Sequence, residues 1–303
     1  MLNCFDGKRA LVVLNPVSGK RTAKPHLYNI STLFTTSGLE TTVYTTRGPG
    51  DATEIVRKRG EDFDIVVCRG GDGTLNETVN GVMMLEKRPM VGYIPAGSTN
   101  DLARTLHIPI DNIEAIDTIL NGQPLWLDLG AFNGGLYFTY TASFGAFTEI
   151  AYATPQSLKN KLGRLAYFAE APGAIKAVHP IHTRVKTVEG FEAEGEYAFV
   201  SVTNSTSIAG LIKLNPRDVN LNDGLFELLL VEYPGSAAEW RQVLTNAIAR
   251  RKLNHPRIKL LHTRQAEFSF DDMVPWTVDG EYAGAHDEVA IENIHNAIQI
   301  FRR

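Results

Sequence analysis

Residues 1–128 of this 303-residue chain predict an α/β domain on a mostly parallel sheet, and residues 129–303 an antiparallel β-sandwich domain. Two observations carry the prediction. In the first stretch, short β-branched runs alternate with segments of helical periodicity, the pattern of strands joined by crossover helices. In the second, strand-like runs follow one another with turn dipeptides between them and few helices.

Taken in order, "RALVVL" (9–14), "TTVYTT" (41–46), "FDIVVC" (63–68) and "MVGYI" (90–94) read as strands. Each is short, rich in β-branched or aromatic residues and bounded by Gly, Pro or Asn. Between the last two, residues 74–86 place Leu75, Val79, Val82 and Met83 on one helical face. Beyond residue 129, "LYFTYTASF", "IHTRVKTV", "EYAFVSVTN", "LFELLLVEY" and "AEFSF" read as strands. Asn133-Gly134-Gly135, Glu189-Gly190, Asp223-Gly224 and Asp279-Gly280 supply turns. Two helices are expected in this half, over 158–178, interrupted at Pro172-Gly173, and over 236–252.

Composition narrows the function classes. A chain with 44% hydrophobic and 21% charged residues reads as soluble and globular. A net charge of -4 argues against nucleic acid as a partner, because a basic field supplies most of that affinity. Cys4 and Cys68 lie in no metal-ligand spacing, and Cys68, at a strand end, reads as a buried small hydrophobe. The expected compartment is reducing and cytoplasmic. The start "MLNCFDGKRA" lacks the apolar core of a signal peptide. No run approaches the roughly 20 apolar residues of a spanning helix, so any membrane contact is expected at the surface.

Three loops follow three of the strands: "NPVSGKR" (15–21), "GGDGTLN" (70–76) and "PAGSTND" (95–101). In an open α/β sheet the carboxyl ends of strands carry the ligand, so all three are expected along one edge. Gly70, Gly71 and Gly73 let backbone N–H groups approach an anion, Thr74 leads into a helix whose N-terminus favours anions, and Lys20 adds a point charge. The familiar phosphate motifs fail. A Walker A loop needs Ser or Thr after Gly19-Lys20, where Arg21 stands, and the dinucleotide fingerprint begun at Gly71-Asp72-Gly73 meets Asn76 at its last glycine.

Asp72 is the anomaly, a carboxylate in a loop built for phosphate. A magnesium ion reconciles the two, since it bridges carboxylate and phosphate oxygens. Asp101 and Asp128 are candidates to complete an acidic cluster, though Asp101 reads equally as a helix N-cap and Asp128 as a strand-end turn. Metal-assisted phosphoryl transfer is the chemistry that uses these parts together.

In this order the motifs resemble the soluble bacterial diacylglycerol kinase family, lipid kinases related to sphingosine, ceramide and NAD kinases. "GGDGTLNE" is shared by that whole superfamily. "NPVSGK", "TTRGPGDA" (45–52) and "PAGSTNDLAR" (95–104) narrow the resemblance to the lipid-kinase branch. "YATPQSLKNKLGRLAYF" (152–168), "LNDGLFELLLVE" (221–232) and "VDGEYAG" (278–284) resemble the diacylglycerol kinases of Gram-positive bacteria. The resemblance implies a nucleotide-binding domain followed by a β-sandwich, with diacylglycerol as substrate and phosphatidic acid as product. It implies ATP contacts from Asn15, Pro16, Val17, Ser18, Gly19, Lys20 and Arg21, from Thr46, from Gly70, Gly71, Asp72, Gly73, Thr74, Leu75 and Asn76, and from Ser98. It implies Glu281 as catalytic base, which joins Asp72, Asp101 and Asp128 of the acidic cluster as the candidate catalytic residues. It implies a structural Mg2+ held by Asp223 with backbone oxygens near Asn220 and Leu225. The third loop departs from the family pattern: Gly97-Ser98 stands where Gly-Thr is usual.

The rival readings are a kinase of another lipid alcohol or of NAD, and a nucleotide-binding regulator without chemistry. "PAGSTNDLAR" argues against NAD, and the joint presence of Asp72, Asp101, Asp128 and Glu281 argues against lost chemistry. The expected location is cytoplasmic and peripheral to the inner face of the membrane, with the lipid substrate at its surface; a homodimer stays open. Segment 236–252 combines an apolar face with Arg250, Arg251 and Lys252, which suits an anionic bilayer or an ordinary packing helix.

Overall fold

The computed structural model describes residues 5–19, 23–146, 178–208, 212–246, 253 and 255–303. Lys20, Arg21, almost all of the helix expected over 158–178, and Arg250–Lys252 lie outside the described residues. The chain divides into two compact units, Met1–Leu129 with His295–Arg303, and Gly130–Ile294. The last residues of the chain thus belong to the first unit.

The first unit contains β1 (Arg9–Leu14), α1 (Ala23–Thr36), β2 (Glu40–Thr45), α2 (Asp51–Arg59), β3 (Ile65–Gly70), α3 (Asp72–Met83), β4 (Met90–Pro95), α4 (Asp101–Thr105) and α5 (Asn112–Asn121). The strands pair in the order β2–β1–β3–β4, parallel throughout. Parallel neighbours need crossovers, and the intervening helices supply them. Strands β1 and β3 are buried nearly end to end, as strands covered on both faces are. Gly81 lets α2 and α3 approach, because a Cβ there would lie 2.7 Å from Val56 Cβ and 2.9 Å from the Thr53 carbonyl oxygen. The sheet grows from β1 in two directions, to β2 on one side and to β3 on the other. The crevice beyond β1 and β3 is therefore its topological switch point.

The second unit continues from β5 (Gln123–Phe132) through β6 (Leu136–Phe138), β7 (Thr141–Gly145), β8 (Ile181–Thr187), β9 (Glu192–Thr203), β10 (Ser207–Ile208), β11 (Ile212–Lys213) and β12 (Phe226–Glu232). After α6 (Ala237–Leu244) come β13 (Ile258–Thr263), β14 (Gln265–Val278) and β15 (Glu281–Arg302), whose end lies in the first unit, where Ile300 pairs with Val91 of β4. Pairing within the second unit is antiparallel. Its core centres on the fully buried Trp276, with Phe132, Phe144, Phe268 and Phe270 at ring centroid distances of 4.8 to 6.3 Å. In α6, Trp240 and Val243 are buried and Tyr233 meets the Trp240 ring edge-on, so its described part is a packing helix.

One expected strand is divided. "LYFTYTASF" forms β6 and β7 with a break at Thr139-Tyr140. The buried Asp279 carboxylate causes it, accepting the N–H groups of Thr139, Tyr140 and Thr141 and the Thr139 hydroxyl at 2.8 to 3.1 Å. Asp279→Ala would strand these buried donors, each costing about 1–3 kcal/mol. The expected result is a loss of at least about 3 kcal/mol in denaturant unfolding; an unchanged midpoint would show that the carboxylate is dispensable.

Candidate active site

The three loops interlock at the switch point. The Asn15 N–H donates to the Arg69 carbonyl at 2.9 Å, and the Asn15 side chain donates to Thr74 Oγ1 at 2.9 Å, joining the first loop to the second. Asn15 Oδ1 also accepts the Val17 N–H, and the Ser18 hydroxyl donates to the Asn15 carbonyl, which closes the first loop into a compact turn. Second and third loops meet glycine on glycine: a Cβ on Gly97 would fall 2.7 Å from Gly71 Cα, and one on Gly71 3.2 Å from Gly97 Cα. Gly19, at φ +77°, approaches Ala96 so closely that a Cβ would lie 3.0 Å from its carbonyl oxygen. The Ala96 N–H donates to the Gly70 carbonyl at 2.7 Å. Three chain segments, far apart in sequence, are thus held within backbone contact.

The N-terminus of α3 opens at this junction. Gly71 is its N-cap and offers no side-chain acceptor. The Leu75 N–H makes the bond to the Gly71 carbonyl, so the N–H groups of Asp72, Gly73 and Thr74 precede the first helical hydrogen bond and point at a prospective anion. Leu75 itself is fully buried and belongs to the core; Asn76 is half-buried. Pro16 and Val17 are exposed, as is Ser98, while Thr46 is buried with its N–H on the Leu14 carbonyl, at the same end of β1.

Asp72 is the first residue of α3, where the helix dipole favours a carboxylate. Its Oδ2 accepts the Asn100 N–H at 2.9 Å. Asn100 is a hub that the sequence did not single out. It adopts left-handed backbone (φ 49°), caps α4, accepts from the Gly97 N–H and Tyr93 hydroxyl through Oδ1, and donates through Nδ2 to the Gly97 carbonyl. The N-cap of α4 is therefore Asn100, and Asp101 is the first helical residue, buried. Burial pushes the Tyr93 hydroxyl well above its ordinary pKa, and negative charge on Asp72 and Asp101 adds to the effect. Glu77 was missed as well. It accepts the Gly50 and Ala52 N–H groups at 2.9 and 3.2 Å, tying α3 to the start of α2 and the segment after Thr46. The signal was there, since a helix start with bare N–H groups calls for an acceptor.

Asp128 lies in β5 (Gln123–Phe132). It is fully buried, and its Oδ1 accepts the Asn296 N–H at 2.6 Å and meets His295 Nδ1 at 3.0 Å. Its carboxylate secures the returning C-terminal segment. Among the described residues no three His, Cys, Asp or Glu side chains gather into a metal-holding group. Glu281 is exposed and opens β15 directly after the Asp279-Gly280 turn, where both residues have positive φ and Val278 pairs with Glu281, the hairpin the dipeptide predicts. In the other expected metal loop, Asn220 and Asp223 are exposed, Leu225 is half-buried, and Asp223 Oδ1 accepts the Leu225 N–H at 3.0 Å. Nearby Glu227 is buried with Oε2 lacking a partner; burial first, then Asp223 and Asp218, push its carboxyl up to about 9.

A parallel α/β unit with an anion-ready switch point, in one chain with an antiparallel β unit, defines the class. Residues 9–132 match the diacylglycerol kinase catalytic domain, and residues 143–302 match the YegS C-terminal NAD kinase beta sandwich-like domain. The chain is 36% identical over 279 residues to a diacylglycerol kinase of Bacillus subtilis (strain 168), covering 91% of each. It is 36% identical over 278 residues to one of Staphylococcus carnosus (strain TM300), covering 91% of this chain and 90% of the relative. A crystal structure of a diacylglycerol kinase from Bacillus anthracis str. Sterne shares the fold, with a TM-score of 0.76 at 20% identity over 98% of this chain and 97% of that one. The chain belongs to the diacylglycerol kinase family.

Proposed function

We propose that this protein transfers the γ-phosphoryl group of ATP to the free hydroxyl of diacylglycerol, giving phosphatidic acid and ADP. The observation that carries the reading is the interlock of three loops around the open N-terminus of α3 in a chain of this family. Backbone N–H groups of Asp72, Gly73 and Thr74 take phosphate oxygens. The lipid hydroxyl oxygen forms the new bond to phosphorus as the bond to the β-phosphate oxygen breaks, and Glu281 accepts the hydroxyl proton. Asp72 and Asp101, hard oxygen donors on the first residues of α3 and α4, would hold a magnesium ion, which would neutralise phosphate charge. The lipid is taken at the cytoplasmic membrane surface; no helix among the described residues is long and apolar enough to cross a membrane. Labelled ATP offered with dispersed diacylglycerol, ceramide, sphingosine and NAD tests the proposal. Label is expected in phosphatidic acid, and transfer to NAD alone would overturn it.

The Asp223 loop is a second place where an oxygen-seeking cation would fit, because the neighbouring Glu227 is buried and its Oε2 has no hydrogen-bond partner. Asp223 with backbone oxygens near Asn220 and Leu225 would hold it. Added magnesium is then expected to raise the melting temperature of the wild type more than that of Asp223→Ala, since binding to the native state stabilises it by mass action. Identical shifts in both proteins would leave Asp223 as a turn residue only.

A further inference from the structure

Arg69 is the one buried Lys or Arg side chain among the described residues, 4% exposed. Its Nε and Nη1 are enclosed and have no hydrogen-bond partner. Arg47, by contrast, is paired with Asp51, and Arg57 and Lys58 with Glu54. A guanidinium stays charged inside proteins, and burying it unpaired opposes folding. Such a group is explained by an anion that the folded protein takes up.

Its position indicates which anion. Arg69 is the penultimate residue of β3, and its carbonyl receives the Asn15 N–H, so the first loop leaves β1 beside it. Gly70 and Gly71 follow directly. Side chains alternate across a strand. A Cβ on Gly70 would lie 2.5 Å from Thr74 Cβ in α3, so Cys68 and Gly70 face α3 and Arg69 stands on the opposite face of the sheet, with Val67. That face is the one covered by α5, because a Cβ on Gly92 would meet both Ile119 and Val67. The bare N–H groups of α3 thus lie on one face of the sheet and the Arg69 side chain on the other. Tyr93 pairs with Cys68 in the β3–β4 register and so shares its face of the sheet, where Asn100 links it to Asp72.

We propose that the Arg69 guanidinium is a phosphate contact of this site, donating from the face opposite α3 to the phosphate group that the three loops hold. The inference rests on the phosphate-binding reading of those loops. A planar fork of N–H donors suits phosphate oxygens in pairs and carries the positive charge that the loops' own amides lack.

The test compares wild type with Arg69→Met and Arg69→Lys by calorimetric titration with ATP, adenosine and inorganic pyrophosphate, and by melting temperature without ligand. Arg69→Met is expected to weaken ATP and pyrophosphate binding about ten- to hundredfold, the worth of a charged hydrogen bond. Adenosine binding should not change, and the ligand-free melting temperature should hold or rise. Arg69→Lys should fall between. Unchanged ATP affinity in Arg69→Met would overturn the inference. So would a lower ligand-free melting temperature, since it would reveal a partner within the protein. If the wild type binds no ATP, the nucleotide reading fails on its own account. Pyrophosphate then decides: a weaker affinity in Arg69→Met supports the contact, and equal or absent binding in both refutes it.

Discussion

Glu281→Gln is expected to lower kcat with saturating diacylglycerol by about 10²–10⁴-fold, the usual worth of a general base. ATP affinity and melting temperature should stay at wild-type values. The expectation follows from the contrast between two neighbouring acids. Asp279 is buried, and four donors converge on its carboxylate, so its charge is committed to holding the turn. Glu281 is the exposed member of the pair, one residue past a rigid two-residue turn. A carboxylate in that position keeps its accepting oxygens for a substrate, and Gln at an exposed position costs the fold little. The hairpin that Asp279 anchors fixes where Glu281 emerges. A lipid hydroxyl is a poor nucleophile, and a positioned carboxylate helps by taking its proton as the bond to phosphorus forms. A fall in kcat without loss of ATP binding is the mark of an interaction made in the transition state. Loss of ATP affinity in step with kcat would move Glu281 to nucleotide binding, and an unchanged kcat would remove it from the chemistry.

The elements that were legible in the sequence are those whose burial is local. Strands β1, β3 and β4 are buried along their lengths, so their apolar runs announce them; "RALVVL" matches β1 residue for residue. The turns at Asp223-Gly224 and Asp279-Gly280 were legible because Gly224 and Gly280 adopt positive φ, which glycine tolerates. Strand β15 was not. It runs over 22 residues, against roughly 5–6 for an ordinary strand, and no turn signal marks where it leaves one unit for the other. Its buried Val289 and Ile291 alternate with Glu288, Ala290 and Glu292, a pattern too short to stand out among so many charges. The three loops were readable as a set because each follows a strand. Their interlock was not, because it depends on Gly71 meeting Gly97 and on Asn100 bonding four groups, contacts that no local pattern encodes. The same holds for Asp128, whose partners His295 and Asn296 lie at the far end of the chain.

The carboxylate of Asp72 has two accounts that one substitution separates. As a strut, it opens α3 and accepts the Asn100 N–H, joining the second and third loops. That alone justifies an acid among glycines, since a helix N-terminus favours negative charge by about 0.3–1 kcal/mol. As a metal ligand, it does what the strut does not require: it places negative charge beside phosphate, which is tolerable only with a cation between them. Asp72→Asn keeps the size of the side chain and an oxygen for the Asn100 N–H. The interlock should survive, and the melting temperature should fall only by the small dipole term. The charge is gone, however, and with it the ligand strength toward magnesium. Turnover at saturating ATP is expected to fall by at least roughly 10²-fold, the scale at which one electrostatic contact to a transition state counts. The magnesium concentration giving half-maximal activity should rise as well. A strut alone predicts neither change. If correctly folded Asp72→Asn keeps near-normal turnover and an unaltered magnesium dependence, the carboxylate is structural, and the metal role passes to Asp101.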